Sequence, residues 1–325
     1  MSRATGWTGA ILVAAGLALA APAARAEAPL RVLATTGMIA DVTAELGGEC
    51  LAAEALIGPG LDPHLYEATP SDIARLQQAE LILHTGFGLE GQMGKLFERL
   101  AAQRAVLAVG PAAMPPEALI PVDDLEGVDP HLWMDPGLWA RIAPVIAAEA
   151  ARRRPDCAAV LEAGAAAYGA ELAALDGWVS EAIASIPEAS RVLVTAHDAF
   201  AYYGRAYGLK LEAVQGLSTK SEASIADIRA VADALVAARV PAVFVESTIN
   251  PRTVAAVLEA AAAAGHTARV GGTLYSDAMG EPGTPEGSYI GMIRANTLAI
   301  VTALGGTPPA WPVALAPWAA RWGLE

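Results

Sequence analysis

The stretch from Asp156 to Ala184 constrains the fold most. It is rich in Ala, Glu and Leu, and places Val160, Leu161, Tyr168, Leu172, Leu175, Trp178 and Val179 at helical spacing, which predicts one long helix. On either side the pattern changes. Short β-rich runs, Leu30–Ala34, Leu81–Leu83 and Ala105–Leu107 before it and Arg191–Thr195 and Ala242–Val245 after it, alternate with helical segments. Such alternation predicts parallel sheets flanked by helices. The chain therefore reads as α/β, with two similar lobes joined by one long rigid helix. The divisions expected are residues 1–26 as a leader, 27–155 and 187–325 as the lobes, and 156–186 as the connecting helix.

The leader has the grammar of a secretory signal peptide: Arg3, an apolar stretch from Gly9 to Ala21, and Ala24-Arg25-Ala26 as a cleavage site. No Cys follows it to take a lipid anchor, so the expectation is a free periplasmic protein starting at Glu27. Other Ala-rich stretches are broken by charges and Gly, and none reads as a membrane span. Cys50 and Cys157 are the two cysteines. In an oxidising compartment a disulfide and two buried free thiols both remain open, and the position of both at element boundaries favours a bridge. With 35 acidic against 21 basic residues and a net charge of −14, the chain repels polyanions and nucleic acid is not an expected partner.

The chain has five histidines, and three sit where loops present them. His64 closes Gly58-Pro59-Gly60-Leu61-Asp62-Pro63-His64, a loop stiffened by Gly and Pro. His131 stands in a second Asp-Pro-His, Asp129-Pro130-His131, followed by Trp133 as a screen against water. His197 follows the run Arg191–Thr195, so it projects from the carboxyl end of a strand, where open α/β sheets bind ligands. Asp277, in Leu274-Tyr275-Ser276-Asp277-Ala278-Met279-Gly280, occupies a comparable loop of the second half. Singly, a loop His reads equally as a surface residue and a loop Asp as a turn residue; as a set, three imidazoles and a carboxylate would suit a divalent transition metal and not an all-oxygen Ca2+ or Mg2+ cage. Glu246 and Asp198 are candidate partners of the imidazole N–H groups, with ordinary salt bridging or helix capping an equally good reading of either. His84, at a strand end, and His266, at a helix end, are left out of the site. Neutral imidazoles bind metal, so affinity is expected to fall as pH drops through about 6.5.

Seven segments in order, Thr36–Asp41, Gly58–Tyr66, His131–Pro136, Ala196–Tyr203, Gly216–Ala223, Val245–Ser247 and Leu274–Gly280, resemble the solute-binding proteins of manganese and zinc ABC importers, cluster A-I. The resemblance spans almost the whole chain after the leader. It implies a monomeric periplasmic carrier, not an enzyme, that holds one Mn2+ or Zn2+ ion as cargo through His64, His131, His197 and Asp277 and hands it to an ABC permease. Manganese-specific lipoprotein members often have Glu where this chain has His197. Many zinc-specific members insert a His-rich loop, whereas Val109–Asp129 contains Asp123, Asp124, Glu126 and Asp129 but no His. The balance favours Mn2+. Two rival readings are a zinc hydrolase, for which no closely spaced His pair is present, and a binder of an organic ligand or metal chelate, for which aromatics are scarce.

Overall fold

In the computed structural model residues 1, 28–123 and 125–324 are described, so the leader lies outside the described residues apart from Met1. The first lobe is a four-stranded parallel sheet in the order β2-β1-β3-β4, with β1 Leu30–Ala34, β2 Leu51–Ala55, β3 Leu81–His84 and β4 Ala105–Ala108. The two central strands are the most buried, since they are flanked by strands on both sides and covered by helices. The second lobe contains β5 Val192–His197, β6 Lys210–Gln215, β7 Ala242–Glu246 and β8 Arg269–Leu274. They form two parallel pairs, β5 with β6 and β7 with β8, and β5 packs beside β7. The strand sequence β6-β5-β7-β8 thus repeats that of the first lobe.

Three strands lack a sequence signal of their own. β2 (LAAEA), β6 (KLEAVQ) and β8 (RVGGTL) are edge strands with exposed polar or Gly positions. Without burial on both faces they carry no continuous apolar run. β5 also runs further than expected, to His197 itself.

The connecting helix spans Ala158–Ala184 after a 3-10 turn, Pro155–Cys157. At 1.5 Å per residue it is a rod of about 40 Å. Leu161, Tyr168, Leu172, Leu175, Trp178, Val179 and Ile183 are buried along it, against helices Gly37–Gly47 and Ile142–Ala151 of the first lobe and Tyr289–Ala303 of the second. Val160, expected on that face, is instead 51% exposed. Gly164 is there for contact: a Cβ at this position would collide with the Leu46 carbonyl. By length and composition this helix does qualify as a membrane span, contrary to the sequence expectation, because its many alanines raise its hydropathy. Its large apolar side chains are spent on the two lobes.

Cys50 and Cys157 form a disulfide, with Cα atoms 6.1 Å apart and 107 residues of separation. The bridge clips the turn before β2 to the start of the connecting helix. Closing so long a loop restricts the unfolded chain, an effect of about 5 kcal/mol in the chain-entropy model. Replacing both cysteines by Ser is expected to lower the urea midpoint of unfolding substantially. Equal midpoints for the two proteins would mean that the unfolded chain gains nothing from the clip.

Candidate metal centre

The four expected residues converge at the facing ends of the two lobes, and all are buried. His64 comes from the loop after β2 and His131 from the turn before helix Pro136–Trp139. His197 is the last residue of β5, and Asp277 follows β8. Their ligand atoms lie within 4.8 Å of one another. His64 Nε2 is 3.3 Å from His131 Nε2 and 3.5 Å from Asp277 Oδ2. His131 Nε2 is 3.3 Å from Asp277 Oδ1, and His197 Nε2 is 3.2 Å from Asp277 Oδ2. Donors about 2.1 Å from a shared ion lie about 3.4 Å apart at tetrahedral angles, so these spacings suit one transition-metal ion.

Two imidazoles are braced by carboxylates. The Asp129 Oδ1 atom accepts from the His131 backbone N–H at 2.9 Å and its Nδ1 at 2.8 Å. Glu246 accepts from the His197 backbone N–H at 2.8 Å through Oε1, and from Nδ1 through Oε2. Each bond fixes the ring and turns Nε2 toward the centre. Of the two candidate partners, Glu246 is the one that bonds an imidazole; among the described residues Asp198 makes no such bond, and the second brace is Asp129. His64 differs from the others: its buried Nδ1 has no partner.

Bracing leaves an electrostatic demand. With protons on Nδ1, the Nε2 lone pairs of His131 and His197 face the Asp277 oxygens, both of which are buried without a hydrogen-bond donor. Lone pairs opposed at this range require positive charge between them, supplied by protons or a cation. Without a metal ion, protons fill that role. Burial works against a charged His131, but Asp129 and Asp277 outweigh it and raise its pKa to about 9. Burial is likewise overcome at His197 by Glu246 and Asp277, which hold its pKa well above the usual value. For His64 burial prevails and lowers it to about 4. Burial also opposes the Asp277 carboxylate, yet His197 and His131 keep its pKa well below the usual range.

The walls of the site join the lobes. Trp133, beside His131 with ring centroids 5.3 Å apart, donates its indole N–H to the Ser276 carbonyl at 2.7 Å. Tyr202 donates to the Asp129 carbonyl at 2.8 Å and Tyr289 to that of Trp133 at 2.7 Å. Asn296, on helix Tyr289–Ala303, accepts from the Tyr275 N–H at 2.8 Å and donates to its carbonyl at 2.7 Å. This pair of bonds orders the segment leading to Asp277. A buried Asn in an apolar helix was the available sign of it. Gly91 lies against His64, whose carbonyl oxygen would be 2.7 Å from a Cβ there. The other two histidines lie apart: His84 stacks on Phe97 with centroids 4.6 Å apart, and His266 bonds the Val240 carbonyl at 2.7 Å.

Two parallel-sheet lobes joined by one helix, with a buried His3Asp cluster divided between them, define a metal-capturing solute-binding protein. The chain belongs to the family described as zinc-uptake complex component A, periplasmic (ZnuA), which matches residues 32–303. It is 43% identical to the manganese-binding lipoprotein MntA of Bacillus subtilis (strain 168) over 279 residues, 86% of this chain and 91% of that protein. It is 40% identical to the zinc-binding protein TroA of Treponema pallidum (strain Nichols) over 281 residues, 86% of this chain and 91% of that one. The solved structure of the periplasmic zinc-binding protein TroA from Treponema pallidum superposes with a TM-score of 0.82 at 39% identity, covering 85% of this chain and 99% of that one. The family consists of substrate-binding components of ABC metal importers, not enzymes, and the hydrolase and organic-ligand readings are set aside with it.

Proposed function

We propose that this protein is a periplasmic carrier that captures one divalent ion between its lobes, with His64, His131, His197 and Asp277 as ligands, and delivers it to the membrane permease of an ABC importer. The observation that carries the reading is the pair of buried, donorless Asp277 oxygens facing three imidazole nitrogens at 3.2–3.5 Å. The Cys50–Cys157 bridge supports an oxidising compartment, and the secretory leader supports export. The carrier acts as a monomer, and its acidic surface gives it no affinity for nucleic acid.

Mn2+ is the physiological cargo in this reading, in preference to Zn2+. Asp277 turns Oδ1 toward His131 and Oδ2 toward His64 and His197, so both oxygens are aimed for coordination. Five donors suit Mn2+ better than the four-coordinate preference of Zn2+. Similarity to MntA favours the same ion, while TroA is named for zinc. The isolated site will nonetheless bind Zn2+ more tightly, following the Irving–Williams order. The test is therefore made in cells. With the gene deleted, added Mn2+ is expected to restore growth under scarcity of both metals, and protein taken from the periplasm without chelator is expected to contain Mn. Rescue by Zn2+ but not Mn2+ would reverse the assignment.

A further inference from the structure

The tripeptide Asp-Pro-His occurs twice, and its two copies use their aspartates differently. In Asp129-Pro130-His131, a single carboxylate oxygen takes both the backbone N–H and Nδ1 of the histidine, while Oδ2 is left without a partner. In Asp62-Pro63-His64, Oδ1 accepts only the His64 backbone N–H at 2.8 Å. Oδ2 instead reaches the opposite lobe, where it accepts from the Thr219 hydroxyl at 2.5 Å. Thr219 is buried and lies in the segment after β6, whose next residue, Lys220, passes over Gly91. The imidazole freed by this choice, His64, is the one with no Nδ1 partner.

Resting on the ligand assignment above, we propose that Asp62 is a positioning residue. It couples the His64 arm to lobe contact, and the Thr219–Asp62 hydrogen bond is a latch that slows escape of the bound ion. His131 and His197 are each oriented from behind by a carboxylate of their own lobe. His64 is oriented only through its backbone, by a carboxylate that also grips the other lobe. Breaking the Thr219 contact frees Asp62, which frees the His64 backbone, which lets the one unbraced imidazole leave the ion. Ion loss acts in reverse, loosening the lobe contact through the same three residues. The bond forms only once the lobes meet, so it governs dissociation and leaves ion capture unchanged.

The test follows Mn2+ release from loaded protein after mixing with excess EDTA, for wild type, Thr219→Val, Thr219→Ser and His64→Ala. Valine keeps the shape of threonine and removes the hydroxyl. Thr219→Val is expected to release Mn2+ about tenfold faster, as for loss of a hydrogen bond to a charged acceptor, with an unchanged association rate. Thr219→Ser, which keeps the hydroxyl, is expected to stay within about twofold of wild type. Wild-type release from Thr219→Val overturns the latch, and so does fast release that serine fails to reverse. If His64→Ala binds Mn2+ as wild type does, the ion site is misassigned and the latch falls with it. If His64→Ala loses Mn2+ while Thr219→Val behaves as wild type, the site stands and only the latch is lost.

Discussion

Asp277→Asn is expected to weaken Mn2+ binding by about three orders of magnitude, roughly 4 kcal/mol, the scale on which removing one member of a buried charge pair operates. Asparagine fits the same space but brings no charge and only one good donor oxygen. Asp277 touches each of the other three ligands, with Oδ1 beside His131 and Oδ2 beside His64 and His197. No other ligand has this position. Competition against a chelating dye gives the number, and an affinity within tenfold of wild type would remove Asp277 from the site.

The second large effect is on pH. In the ion-free protein His131, with its pKa raised to about 9, and His197, held higher than usual, are protonated at neutral pH, and a metal ion must displace those protons. Two protons leave as two positive charges arrive, so the charge of the cluster is conserved. Affinity is therefore expected to rise by one to two orders of magnitude per pH unit from about 6 to 8, well above the window set by an ordinary imidazole. The carboxylates behind the rings cause this displacement. Calorimetry in buffers of different ionisation enthalpy should find between one and two protons released at pH 7, and fewer than half a proton would contradict it. The sign for stability is opposite. A raised histidine pKa contributes stability that is complete below about 6.5 and lost as pH rises through about 9. Ion-free protein should weaken toward alkaline pH, while loaded protein is spared.

The sequence made the two lobes and the helix between them legible, because long helices and buried central strands carry strong periodic or continuous apolar signals. β2, β6 and β8 escaped because an edge strand needs only one well-packed face, and Leu51-Ala52-Ala53-Glu54-Ala55 or Arg269-Val270-Gly271-Gly272 offers little more than that. The cluster of His64, His131, His197 and Asp277 was readable from a repeated tripeptide, a strand-end histidine and the family resemblance. Its supports were not. Asp198 is adjacent to His197 in the chain, yet the side chain beside the ring is Glu246, 49 residues away. Thr219 meets Asp62 across 157 residues. No local pattern encodes such pairs: the first exists only once β5 and β7 lie side by side, the second only once the lobes are docked.

The division of the cluster, two residues from each half, makes the molecule a caliper. Metal–ligand bonds of about 2 Å tolerate changes of only a few tenths of an ångström, and His64 and His131 are on one jaw while His197 and Asp277 are on the other. Widening the jaws by about one ångström therefore stretches every arrangement that holds all four donors on one ion. One long helix packed against both lobes joins the jaws. If the four residues hold one ion as proposed, an importer that grips the two jaws would have no need to unfold a loop or swing a domain wide: a small prying motion is expected to convert tight storage into discharge.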